Sequence, residues 1–288
     1  KPFFYSQHRV MRGTVLGPTA SPLDEGRSTK LFSKYPNLMA FCGHCHISAS
    51  FEKSIWQGAF TCVQVPSLLY CCTMGGRENG YCVADRVPPS PPKPVKTMPQ
   101  HHSGQTHQGL LCIVYDKAVV LRRWEFEHDA QLGPDWVIPI ESFSLPPDEK
   151  PFSYEVRART EPVPQFPKGA KVVLSEARSK DRSGVEHDMR VVEFPAAAKP
   201  RANDYEVTVE LRQGDIERVL LQKRVYSPRY MYAESMETVP VCCTFTRDEI
   251  PDGWTVRYVV RPVNAFGVKG DPIATPFALA MKPKAKKK

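Results

Sequence analysis

One short stretch, Asn37–His46, constrains this chain more than any other. Its first part, Leu38–Cys42, is an apolar run of the kind that forms a buried strand. Gly43 allows the backbone to turn sharply where the strand ends, and His44 and His46 follow directly. Since α/β proteins keep their sites at the carboxyl ends of strands, we expect both imidazoles to face one or two metal ions there.

A second strand that ends in a histidine lies upstream. Phe3–Ser6 is an aromatic-rich run typical of an interior strand, and His8 lies at its exit. Between the two strands, Ser28–Tyr35 has apolar residues at helical spacing with Ser28 as the candidate N-cap, and Pro36 ends the helix. The order strand, helix, strand predicts a right-handed βαβ unit with parallel strands. The histidines of both strands, His8, His44 and His46, are therefore expected to converge at one sheet edge.

These residues carry a resemblance to a known family. Gly43–His46 has the sequence Gly-His-Cys-His and is followed in the chain by Ser54–Gly58 and Val65–Leu68. Together these segments resemble the last metal-binding motif of the calcineurin-like metallophosphoesterases. Phe3–His8 resembles the preceding motif, in which a strand ends in one more ligand histidine. The resemblance covers about residues 1–140. It implies the second half of an α/β fold, the α/β/β/α sandwich of that family.

The resemblance also implies a ligand set and a reaction. His8 and His44 would bind one metal ion and His46 a second, the ions being divalent and of the Mn, Fe, Zn or Mg class. Two such ions activate a water molecule and polarise the phosphoryl group of a phosphoester substrate. The DxH, GDxxD and GNH motifs that open the family's catalytic domain are not found in this sequence. We therefore expect a partial enzyme that needs the missing N-terminal half and has feeble or no activity alone.

Other interpretations of these residues stay open. A lone histidine at the end of a strand can be a buried, hydrogen-bonded residue without a ligand role. Cys42 and Cys45 have C-x-x-C spacing, which occurs in structural zinc and redox sites, but no second pair is found in the chain. In the resembled motif the position of Cys45 is not a ligand. His101, His102 and His107 can bind metal adventitiously, although their Pro-rich surroundings are typical of a solvated loop.

Composition limits the class of protein. The net charge is +8, and lysines at the C-terminus contribute five of those charges, which leaves an ordinary +3 and argues against a nucleic-acid partner. No apolar window is long enough for a membrane span. The nine cysteines include the adjacent pairs Cys71-Cys72 and Cys242-Cys243, which fit a disulfide framework poorly and favour a reducing compartment such as the cytoplasm.

The rest of the first half reads as β structure interrupted by loops. Ile55–Val63 and Val65–Tyr70 are predicted to be strands of a second sheet. Val87–Gly109 is too rich in proline for a sheet and is predicted to be an exposed excursion. Gly109–Tyr115 and Ala118–Phe126 are separated by an Asp-Lys pair and predict a β-hairpin.

The predicted domains follow from changes in composition. Residues 1–145 form the phosphoesterase-like part and residues 146–151 a Pro-rich linker. Residues 152–280 are predicted to form an Ig-like or fibronectin-like β-sandwich of about seven strands, and residues 281–288 a basic tail. The predicted strands of the sandwich are Ser153–Ala158, Lys171–Ala177, Met189–Phe194, Tyr205–Leu211, Arg218–Tyr226, Val241–Thr246, Thr255–Pro262 and Ile273–Ala278.

Two further hypotheses compete with the phosphoesterase. In the first, the protein is noncatalytic, the β-sandwich binds the ligand or partner and the histidine site is vestigial. In the second, the first domain is a structural zinc protein, in which case chelators would unfold it. The substrate and the oligomeric state are not encoded in any motif of the sequence.

Overall fold

A computed structural model describes residues 1–17, 25–80, 106–180, 184–197, 200–228, 230–232 and 240–280 of the protein. In this part of the chain the structure is mostly β, with four sheets and two short helices. Neither helix is long and apolar enough to cross a membrane. The predicted basic tail, His101, His102 and most of the Pro-rich excursion lie outside the described residues.

The first sheet carries the histidine-bearing strands. It contains β1 (Phe3–Gln7), β2 (Leu38–Cys42), β3 (Ile55–Gln57) and β4 (Thr61–Gln64), in the order β1-β2-β4-β3. β2 runs parallel to both β1 and β4, whereas β3 and β4 form an antiparallel hairpin. The predicted parallel pairing of the first two strands is thus confirmed. Helix α1 (Arg27–Phe32) connects them.

The start of α1 differs from the prediction. The N-cap residue is Gly26 rather than Ser28, and it has the left-handed conformation with φ 79°. Glycine adopts this conformation without the steric penalty of a Cβ, so the helix begins earlier than the serine suggests. The ring of Phe32 packs against that of Tyr5 with centroids 4.8 Å apart. This contact holds the helix beside β1.

The strands that follow the Gly-His-Cys-His motif were predicted to lie in a second sheet, and this prediction is wrong. Ile55–Gln57 and Thr61–Gln64 join the first sheet, because every residue of β4 is buried and the strand pairs with β2. Gly58 makes the turn between them, where a Cβ would lie 2.0 Å from the ring of Trp56. Val65–Tyr70 is not a strand.

The second sheet packs face to face on the first. It contains β5 (Gln108–Val114), β6 (Ala118–Glu125), β7 (Ala130–Gln131) and β8 (Trp136–Pro139). The predicted hairpin is confirmed as β5 and β6. Every second residue of β6 is buried, as its alternating pattern requires. The core between the two sheets consists of Met39, Ile55, Val63, Val119, Leu121, Trp136, Ile138 and Phe143.

The segment after the second sheet differs from the prediction. Tyr154–Thr160 forms helix α2 rather than a strand, because the Ser153 side chain caps the helix by accepting a hydrogen bond from Val156 N. In the segment predicted to be a linker, Lys150 is buried and its Nζ donates to Phe143 O at 3.3 Å. Tyr154 Oη donates to Lys53 O at 2.9 Å. Helix α2 therefore packs against the first half of the chain.

The second half is a β-sandwich, as predicted. Its long strands are β9 (Val173–Lys180), β10 (Glu186–Phe194), β11 (Asp204–Gln213), β12 (Ile216–Tyr226), β13 (Val241–Thr246) and β14 (Thr255–Val263), and its short ones are β15 (Ile273–Ala274) and β16 (Ala278–Leu279). One sheet has the order β13-β10-β9, and the other has β12-β11-β14-β15 with β16 also on β14. Residues of both sheets share one core, including Val192, Phe245, Val207 and Val260.

The two halves are joined by a common core and by polar contacts. Tyr226, Tyr230 and Met231 belong to the same buried cluster as Leu38 and Ala40 of β2. Asn79 Nδ2 donates to Tyr226 O at 3.1 Å, and Tyr226 N donates to Asn79 Oδ1 at 2.7 Å. The sandwich therefore covers the face of the first sheet that is turned away from the second.

Candidate metal centre

The parallel pairing of β1 and β2 brings the first two histidines together. The register matches Gln7 with Cys42, so the residues that follow, His8 and Gly43, lie side by side. Gly43 N donates to His8 O at 3.0 Å, and this bond extends the hydrogen bonding between β1 and β2 by one residue. Beyond it, His8 Nε2 and His44 Nδ1 are 3.0 Å apart, with the rings edge to face at an interplanar angle of 78°.

The backbone of the Gly-His-Cys-His segment is strained at the histidines themselves. His44 has φ 74° and His46 has φ 53°, both in the left-handed region that few non-glycine residues adopt. Gly43 is not among the residues with positive φ, so the turn expected at the glycine lies one residue later. Strain of this kind costs about 1–3 kcal/mol per residue and is concentrated at functional sites.

His46 has a different environment. Its ring packs on that of Tyr70 with centroids 4.4 Å apart, and its carbonyl oxygen accepts a hydrogen bond from Cys72 N at 2.6 Å. The His46 Nδ1 atom is buried and has no hydrogen-bond partner among the described residues. A buried, unpaired imidazole nitrogen costs free energy unless a ligand binds it, so His46 has the properties of an incomplete ligand site.

Electrostatics keep His44 in the form that binds metals. Partial burial lowers the pKa of His44, and the positive charge of Arg9 and the neighbouring imidazoles of His8 and His46 lower it further. A metal-binding histidine must be neutral at the ligating nitrogen. At neutral pH this imidazole is therefore available as a ligand.

The donor set fits a metal ion only in part. His8 Nε2 and His44 Nδ1 are at hydrogen-bond distance, 3.0 Å, and the same spacing allows both nitrogens to bind one ion at about 2.0–2.1 Å once the ion replaces the proton between them. Across the described ranges, no group of three or more His, Cys, Asp or Glu side chains is arranged to hold an ion. His8 and His44 supply two ligands, and a stable site needs further donors from outside these residues.

The other candidate metal residues have different environments. Cys42 faces Cys62 in the core with the sulfur atoms 3.7 Å apart, and the hydrogen bond between the two thiols together with burial raises the pKa of the Cys42 thiol. A protonated, buried thiol is a poor zinc ligand, which speaks against a C-x-x-C zinc site. His107 Nδ1 lies 3.3 Å from a carboxylate oxygen of Glu127. The eight cysteines that the structure describes form no disulfide.

One buried charged cluster was missed by sequence reasoning. Glu52 accepts a hydrogen bond from Arg123 at 2.6 Å and from Arg157 at 2.5 Å. Burial alone would raise the pKa of Glu52, but the two guanidinium charges outweigh burial and lower the pKa to about 2. The alternation of β6 places Arg123 on a buried face, which was the available signal. Its partners lie far away in the sequence, and no local pattern shows them.

Comparisons with protein-family models, with curated proteins and with solved structures gave no significant match.

Proposed function

We propose that this protein is part of a metal-dependent phosphoesterase and carries the histidine end of its two-metal site. One observation supports this proposal above the others: His8 Nε2 and His44 Nδ1 lie 3.0 Å apart at the carboxyl ends of adjacent parallel strands. The crossover through α1 and the parallel pairing of β2 with β1 and β4 support an α/β interpretation of the first half.

The residues of this chain have distinct roles in the proposal. His8 and His44 hold one divalent ion, of the Mn, Fe, Zn or Mg class, and His46 contributes its unpaired nitrogen to a second. The bound ions would supply Lewis-acid chemistry, namely a water molecule of lowered pKa and a polarised phosphoryl group. The strained backbone at both histidines of the motif fixes their orientation, and Tyr70 supports the ring of His46.

The exposed sheet edges support the proposal of a missing half. β1 is the outermost strand of the first sheet, and its side chains Phe3, Phe4 and Tyr5 are 42%, 47% and 39% exposed. β5 is the outermost strand of the second sheet and exposes Leu111 and Val114. Unpaired apolar edge strands are rarely left exposed to water, because strands of other molecules can pair with them and cause aggregation. In our proposal, strands of the N-terminal half of the catalytic domain pair with both edges and bring the carboxylate ligands.

The test combines metal content with hydrolysis. The purified chain, incubated with Mn²⁺ and passed through a desalting column, is measured by elemental mass spectrometry and assayed with a chromogenic phosphodiester. We expect one ion per chain and feeble turnover, because this chain lacks the carboxylates that hold two ions together. The His44→Ala variant should lose the ion, whereas the matched control His187→Ala, on strand β10 of the sandwich, should keep it.

The outcomes separate the parts of the proposal. Unchanged metal content in His44→Ala would refute the assignment of the site. Two ions per chain with rapid turnover would show that other residues complete the site and would refute the missing half. A chelator that unfolds the first half would favour a structural zinc protein instead.

The alternative of a noncatalytic binding protein with a vestigial histidine site is favoured by a different observation. A cavity lies where the β-sandwich meets the first half, away from the three histidines.

A further inference from the structure

A cavity of about 450 Å³ lies at the junction between the two halves of the chain. The first half contributes Glu52, Arg123 and Gly133–Trp136 to its wall, and the second half contributes Asn203 and Asn264. Its volume lies in the range of about 300–1,000 Å³ that is usual for small-molecule sites, which often occur at such junctions. His8, His44 and His46 do not line it, so a ligand here would not occupy the proposed metal centre.

The wall carries three acidic and three basic side chains, and these are already engaged: Arg201 donates to Tyr232 O at 3.2 Å, and the others form ion pairs. Glu52 binds Arg123 and Arg157, and Arg157 also contacts Glu161 at 3.1 Å. Asp135 contacts Arg122 at 3.3 Å. A ligand with a net charge would have to disrupt one of these pairs or remain uncompensated in a partly dry site, and both are unfavourable. The wall therefore selects for a neutral ligand.

One polar residue of the wall, Asn203, has a fixed backbone and an available side-chain amide. Asn203 has its backbone held on both sides: its N–H donates to Val263 O at 2.8 Å, and its carbonyl oxygen accepts from Ser227 N at 3.1 Å. Its side-chain amide makes no hydrogen bond to any residue that the structure describes. A carboxamide offers two donors and acceptor lone pairs, and a hydroxyl group can both donate and accept. The amide thus matches a pair of neighbouring hydroxyls on a ligand.

The remaining wall is rigid and largely apolar. Pro134, Pro162 and Pro200 line the cavity together with Phe152 and Ala265. Proline rings lose little conformational entropy when a ligand packs on them, because their backbone torsion is already fixed. Such a surface suits the C–H faces of a compact ligand whose hydroxyls point to the polar side.

We propose that this cavity is a binding site for a neutral, hydroxyl-rich small molecule of the monosaccharide or polyol class, recognised by the Asn203 amide. Burial of the ligand against the proline-lined wall supplies affinity, and the amide supplies orientation. The paired arginines and glutamates reject charged analogues. The site works independently of metal binding at the histidines.

The test uses the full chain and saturation-transfer difference NMR at millimolar ligand. The neutral probes are glucose, galactose, N-acetylglucosamine and myo-inositol, and glucuronate is the charged analogue. We expect at least one neutral probe to bind and glucuronate not to bind. Asn203→Ala should weaken binding roughly tenfold through loss of the amide. The control Asn37→Ala removes the same group outside the cavity, where Asn37 donates to Lys1 O, and should bind normally.

Circular dichroism and the melting temperature establish that each variant is folded. Asn203→Asp, which keeps the size of the side chain but adds a charge and removes two donors, should also lose binding. Failure of all four neutral probes to bind the folded wild-type chain would overturn the proposal. Stronger binding of glucuronate, or undiminished binding by folded Asn203→Ala, would overturn it as well.

Discussion

Replacement of Glu52 by glutamine should destabilise the whole protein. The two carboxylate oxygens of Glu52 accept hydrogen bonds from Arg123, Arg157 and the indole N–H of Trp136, the last at 3.0 Å. The side chains of Arg123 and Arg157 are only 1% and 9% exposed. In the Glu52→Gln variant Arg123 therefore loses its carboxylate partner and Arg157 keeps only Glu161 among the described residues, while the shape of the site hardly changes.

The expected loss of stability follows from the burial of these charges. Removal of one partner from a buried ion pair costs about 3–5 kcal/mol, because the remaining charge stays desolvated and uncompensated. For a chain of this length that unfolds as one unit, the loss corresponds to a decrease in melting temperature of roughly 5–8 °C. The control Glu25→Gln disrupts a pair with Arg27 in which both side chains are mostly exposed, and it should have almost no effect.

The pH dependence provides a second readout of the same group. The pKa of Glu52 is about 2 in the folded protein, below the ordinary value of 4.5. Its contribution to stability is therefore complete above the ordinary value and is lost as the pH falls from there towards 2. Urea unfolding between pH 7 and pH 3 should show this loss in the wild-type protein and not in Glu52→Gln. If Glu52→Gln melts within about 1 °C of the wild type at pH 7, the reasoning is refuted.

Two further predictions concern the turn of the first sheet and the junction between the halves. Gly58→Ala should lower the free energy of unfolding by about 1–3 kcal/mol, because the new Cβ would lie 2.0 Å from the Trp56 ring. The control Gly43→Ala should be tolerated, because its Cβ meets only His8 O at 3.5 Å. Equal urea midpoints for the two variants would contradict this prediction. A fragment of residues 150–288 should unfold at a lower urea concentration than the full chain and lack its native near-UV circular dichroism, because Tyr226 and Tyr230 would lose the core that they share with β2. A fragment as stable as the full chain would show that this shared core does not stabilise the sandwich.

Local patterns predicted the elements whose determinants are local. The apolar run at β2 and the alternation in β6 identify strands because the side chains of each strand alone decide which face is buried. The aromatic run at β1 also forms a strand, but the prediction of an interior strand is wrong, because β1 is an exposed edge strand. The same holds for most strands of the sandwich. The contact between His8 and His44 was predictable once the two strands were taken as parallel, since this places their carboxyl ends at one edge.

The errors occurred where the determinants are not local. Ser153–Ala158 alternates like a strand, but the cap at Ser153 and packing on the first half make it a helix. The first-sheet hairpin was placed in the second sheet because sequence does not specify which sheet a buried strand joins. The cluster around Glu52 joins residues 71 and 105 positions apart. No short-range spacing encodes contacts of that kind.

The central claim is that His8 and His44 together bind a metal ion, and histidine side-chain NMR tests it directly. In long-range ¹H–¹⁵N spectra of the full chain, addition of Zn²⁺ should shift the resonances of His8 Nε2 and His44 Nδ1, the two atoms that face each other. The nitrogens of His128, which is engaged by Glu125, and of His187 should not move. Shifts confined to His128 or His187, or no shifts at saturating Zn²⁺, would contradict the account.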